Sequence, residues 1–183
     1  MVNVTQVVWG PQSSWFWTMV QSIGVLVTLA AIYSQIRLQR HANMLPLFAH
    51  LEERWWSERM VGARERACLR FLDPSARDDS TLTADEDAIL TFLEDVGLYI
   101  KRGILDERLV WEKLSHLIDQ YWQMLEPRVA GERRVDKTYF SHVAFLRARM
   151  LRISDRQGAQ SRHDPASLTA LVAADLQRLR HLN

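Results

Sequence analysis

The sequence predicts an all-α protein: one N-terminal transmembrane helix followed by a cytoplasmic bundle of about five helices. Three observations predict it. No Asp, Glu, Lys or Arg precedes Arg37, although the chain carries 23 basic and 22 acidic residues. Residues 15–36 are predominantly apolar. Beyond them, apolar residues recur at steps of three and four, and no segment shows the two-residue alternation of a half-buried strand.

A helix rises about 1.5 Å per residue, so roughly 20 residues cross a ~30 Å hydrocarbon core. Residues 15–36 are long enough. The hydroxyls of Thr18, Ser22, Thr28 and Ser34 can bond back to their own helix, whereas Gln21 needs a partner or a place near the interface. A signal peptide would open with a basic region, and residues 1–14 contain no basic side chain. A buried core helix is the competing reading, but such a helix carries charge along one edge. The basic flank, Arg37 and Arg40, follows the span. By the positive-inside rule the C-terminal part is then cytoplasmic, and residues 1–14 form a short extracytoplasmic tail. Trp9, Trp15 and Trp17 suit the outer interface and Tyr33 the inner one. The lone Cys68 fits a reducing compartment, or burial as a small apolar residue. Arg supplies 20 of the 23 basic residues, which suggests a high-GC genome and hence a bacterial inner membrane.

The cytoplasmic helical domain is expected over residues 37–153. In "HANMLP", Pro46 should end the first helix, because proline removes a backbone donor. A second helix is expected over residues 47–72, with Phe48, Leu51, Trp55, Trp56, Met60, Ala63, Ala67 and Phe71 inward and one slip in the spacing. "TADE" from Thr83 reads as a capping box with Glu86. Ile89, Leu93, Val96 and Ile100 form the stripe that follows, and Gly103 ends it. Asp106 caps a helix to about Leu125, with Trp111, Leu114, Ile118 and Tyr121 inward, broken by Pro127 and Gly131. Tyr139, Val143, Leu146, Met150 and Ile153 give the next stripe. Residues 154–183 read as a polar linker and a C-terminal amphipathic helix opened by Asp164 and Pro165. Leu168, Val172, Leu176 and Leu179 form its apolar face.

The chemistry sought in the chain is mostly missing. In "RDDSTLTADED", Asp79, Thr81, Thr83 and Asp85 alternate as in a calcium loop. Ala84 replaces the turn glycine and Leu90 the terminal Glu, so the acids are better explained by the helix dipole. The six histidines show neither zinc-protease nor di-iron spacing. Seven scattered glycines form no phosphate loop. No catalytic residue, cofactor or metal ligand is assigned, and the balanced charge argues against a nucleic-acid partner.

Three features are singled out. Glu94, Gly97 and Lys101 share one helix edge, read as close helix packing beside a surface charge pair; a carboxylate in a binding groove is the functional alternative. "ERWWSER" and "DQYWQML" concentrate aromatics, read as core anchors or an exposed contact patch. Within the span, Gln21, Gly24, Thr28, Ala31 and Gln35 form a small, polar stripe that would permit close helix approach and a homo-oligomer.

"FLEDVGLYIKRGILDERLVWEKLSHLIDQYWQMLEP", residues 92–127, together with the span and "KTYFSHVAFLRARML", resembles an uncharacterised bacterial family. Its members look like a single membrane helix followed by a small helical domain of unknown function. The resemblance covers roughly residues 15–151 and leaves the C-terminal helix outside it. It implies the fold and carries over no catalytic residue.

The expected function is that of a module anchored in the lipid bilayer and acting by contact with a protein partner. The alternative is an oligomeric membrane effector or channel-like component, such as one in phage defence. An enzyme fits least.

Overall fold

The computed structural model describes residues 14–73, 75, 81–158 and 165–181, without the side chains of residues 14, 37–43 and 165. Among the described residues it is all-α, with six helices and no strand: α1 (Ser14–Trp55), α2 (Glu58–Leu72), α3 (Ala84–Lys101), α4 (Glu107–Glu132), α5 (Ser141–Arg156) and α6 (Pro165–Arg180). The chain divides into two compact units, residues 1–45 and 46–183.

Within the first unit, Trp15–Ile36 is long and apolar enough to cross a membrane, with a mean hydropathy of 1.6 and none of its window buried. That exposure removes the core-helix reading. Three of the four hydroxyls expected to bond back to the helix do so: Ser22 donates to the Thr18 carbonyl, Thr28 to that of Gly24 and Ser34 to that of Ala31.

The second unit has its own core. Helices α2, α3, α5, α4 and α6 pack in that order into a closed ring, α6 returning onto α2, and α3 also touches α4 across it. Ile89, Leu90, Leu93 and Val96 of α3, Ile118 and Leu125 of α4, Val143 and Leu146 of α5, and Val172 and Leu179 of α6 are almost wholly removed from water. All but Leu90 lie on the expected helical stripes, and each fully buried Leu or Ile contributes about 1.5–3 kcal/mol.

The caps explain most boundaries. Thr83 and Glu86 form the expected capping box, each accepting the other's backbone N–H. Gly103, at φ 65°, closes α3: its N–H reaches the Ile100 carbonyl, and that of Ile104 the Tyr99 carbonyl, as a left-handed C-terminal glycine permits. Asp106 accepts the N–H groups of Arg108 and Leu109.

Three expectations are corrected. Pro46 lies inside α1, and Pro127 and Gly131 both lie inside α4, which runs on past Leu125 to Glu132. An internal proline costs about 3 kcal/mol, but both rings face solvent while Phe48, Leu51, Leu125 and Val129 beside them are buried. That packing carries the helices through. Conversely, the single helix expected over residues 47–72 is broken after Trp55. Ser57 donates to the Arg54 carbonyl at 2.7 Å and accepts the Met60 N–H at 3.4 Å, joining the two helix ends. The break falls at the slip in the apolar spacing, and Trp56, expected inward, is 53% exposed. The expected Asp164 cap lies outside the described residues.

At Gly97, α3 and α5 approach closely. A Cβ there would overlap the His142 carbonyl oxygen, a backbone atom that moves only with its helix. Gly97→Ala is therefore expected to destabilise the bundle by about 1–3 kcal/mol through overpacking. Urea unfolding of the full chain followed by circular dichroism measures it; an unchanged midpoint would show that α5 can withdraw freely.

Candidate functional site

The residues singled out from sequence do not form one site. In α1, residues 17–36 are all exposed, so Gln21, Gly24, Thr28, Ala31 and Gln35 are not set apart from the rest of the helix. Gly24 has no atom within 4 Å of where a Cβ would stand. The side chains of Arg37 and Arg40 lie outside the described residues. Asp79 does too; Thr83 and Asp85 belong to the cap and first turn of α3. No group of three or more potential metal ligands occurs among the described residues.

Glu94 works inside the fold. α5 begins at Phe140, in the left-handed region at φ 50°, without a side-chain cap of its own. Glu94 reaches across from α3 and accepts the Val143 N–H at 2.8 Å, with its other oxygen 2.6 Å from His142 Nδ1. The carboxylate thus caps a neighbouring helix, and Gly97, one turn later, lets that helix approach. Lys101 is exposed and forms no ion pair with Glu94. The aromatics divide: Trp55, Tyr121 and Trp122 are core, and Trp56 is exposed.

The structure brings together two charged clusters that sequence reading missed. In the first, Glu86 is fully buried between Arg70, at 2.7 Å, and Arg128, at 2.5 Å. It joins α2, α3 and α4 while also completing the capping box. In the second, Arg64 is fully buried in α2. Its Nε donates to the Tyr121 hydroxyl at 3.0 Å, and Nη2 lies 3.3 and 3.4 Å from the two Asp175 oxygens. Tyr121 in turn donates to Asp175 at 2.7 Å. The guanidinium carbon sits 4.3 Å from the Trp55 ring centre and 5.1 Å from that of Trp56, within cation–π range.

Cys68 adjoins this cluster, its Sγ 3.8 Å from the Tyr121 oxygen. Burial is the main cause pushing the Cys68 thiol up to about 12, and it also raises Tyr121 well above the usual phenol range. Both groups are protonated at neutral pH, so neither is an active nucleophile. One signal for the clusters was present in the sequence. Arg64, Glu86, Arg128 and Asp175 each fall on an apolar stripe, three or four residues from Ala67, Ile89, Leu125 and Val172, where charge needs a buried partner.

An open groove of about 570 Å³ lies between the start of α2 and the start of α3, lined by Arg54, Ser57, Arg59, Arg66, Asp85 and Asp87 among others. Most of its charge is already used. Arg54 pairs with Asp95 and Arg66 with Asp85, each at 2.7 Å, and Asp87 accepts from the Tyr139 hydroxyl. The Arg66 guanidinium holds the Asp85 carboxyl below its ordinary range.

The fold and these clusters define a helical domain with an unburied apolar N-terminal helix and buried charges paired between its helices. Residues 18–150 match the family described as a domain of unknown function (DUF4760), and the chain belongs to that family. No curated protein and no solved structure matches it.

Glu86→Ala removes the shared partner of two arginines as well as half of the capping box. Breaking a buried ion pair by removing one member costs about 3–5 kcal/mol, so the variant should unfold at markedly lower urea than the parent. Arg108→Ala, at the exposed pair with Glu112, should shift the midpoint little, since such pairs are worth about 0–1 kcal/mol. Equal effects of the two would contradict the assignment of Glu86 as an organising charge.

Proposed function

We propose that this protein is a membrane-anchored helical module that acts through contact with a protein partner, its bundle held at the cytoplasmic face. The observation that carries the reading is the Trp15–Ile36 helix, which is apolar and uncharged, with none of its apolar window buried. Three further points support it. The hydroxyls of Ser22, Thr28 and Ser34 are bonded within that helix, as an apolar solvent requires. The basic residues Arg37 and Arg40 follow the helix and none precedes it. The buried carboxylate of Glu86 is held by Arg70 and Arg128 of the bundle's own helices, which favours contact with a partner over bond-making chemistry.

The test is extraction and topology. Alkaline carbonate should leave the full chain in the membrane pellet, and detergent should release it with residues 15–36 still attached. A fluorescent reporter at the C-terminus should be active, and an alkaline phosphatase fused there silent. A mature chain that begins after residue 36 would make the segment a signal sequence and overturn the reading, as would release by carbonate.

A further inference from the structure

The last helix covers a surface made by the family-matched part of the chain. Arg64 and Cys68 of α2 and Tyr121 of α4 lie within residues 18–150, while α6, which packs on both helices, begins beyond that match. α6 buries Leu168, Val172, Leu176 and Leu179, and inserts Asp175 toward Arg64 and Tyr121.

The fit is incomplete at its polar centre. Arg64 is 0% exposed, yet its Nη1 has no hydrogen-bond partner, and its contacts with Asp175, at 3.3 and 3.4 Å, are long for a charged pair. Trp55, 1% exposed and stacked under the same guanidinium, has an unpartnered Nε1. Two buried donors in one cluster therefore lack acceptors, and such donors carry a desolvation penalty that an added acceptor removes. The apolar part of the surface is matched by α6 and its charge is under-matched.

We propose that the α2–α4 surface is a docking groove for an acidic amphipathic helix of a partner protein, with α6 as its displaceable occupant. The partner helix would repeat the apolar spacing of Leu168, Val172, Leu176 and Leu179. It would place a carboxylate where Asp175 stands and bring one more acceptor to Arg64 Nη1. Helix-in-groove recognition of this kind reads apolar anchors at one-turn spacing. The inference rests on the reading of the chain as a contact module and names the contacting surface.

Cys68, the chain's single cysteine, is the natural reporter. It is 0% exposed and one hydroxyl away from Asp175, through Tyr121. The test uses the full chain in detergent carrying Leu176→Ala, which weakens α6 alone. Maleimide labelling of Cys68 should then accelerate by at least about tenfold, while amide exchange in α3 stays at the parent rate. A synthetic peptide of residues 165–181 should restore protection in a saturable way, and the same peptide with Asp175→Ala should not. Labelling that rises only in step with α3 exchange would mean that the bundle opens as a whole, and the groove would not exist as a separable surface. Failure of either peptide result would equally overturn the proposal. Neither outcome touches the membrane reading, which stands on residues 15–36.

Discussion

An apolar helix exposed along its length gains by leaving water, and in the proposed reading this constraint orders the molecule. Twelve large apolar side chains between Trp15 and Ile36 are exposed. Removing such side chains from water is favourable, each by up to about 1.5–3 kcal/mol on full burial. In the proposed reading the bilayer is the missing solvent, and the absence of charge before Arg37 is its counterpart in the sequence.

The bundle answers the opposite problem, that of burying charge. Glu86 draws Arg70 and Arg128 to the point where α2, α3 and α4 meet. Arg64 does the same for α2, α4 and α6 through Tyr121 and Asp175. Such clusters add little net stability compared with apolar replacements, but removing one member is expensive. They act as registration points. Each fixes which turn of one helix faces which turn of the next, while the apolar stripes supply the driving force. Glu94 does this in the most economical way, capping α5 from a neighbouring helix whose Gly97 makes the approach possible.

Much of the fold was legible because it is local. Thr83 with Glu86, Asp106 and Gly103 are signals confined to a single turn, and the structure places helix ends at each. The stripe of α6 was read correctly for the same reason. Pro46 and Pro127 were misread because a local rule met a long-range answer: burial on either side outweighs the lost backbone bond. Ser57 was missed because the pattern was read through a slip that in fact marks a break. The charged clusters were illegible in detail for a different reason. Arg64 and Asp175 stand 111 positions apart in the chain, and no periodicity reports which buried acid meets which buried base. What the sequence did offer was the anomaly itself, a charge on an apolar stripe. Family membership agreed with the resemblance drawn from residues 92–127 and brought the fold without an activity.

The central claim is that residues 15–36 are solvated by lipid while the bundle is not. The most direct measurement is photolabelling of the full chain in its native membrane with a carbene precursor dissolved in the lipid phase, followed by mapping of labelled peptides. The account predicts label concentrated between Trp15 and Ile36 and very little in α2 to α6. Label absent from residues 15–36, or spread equally over the bundle, would contradict it.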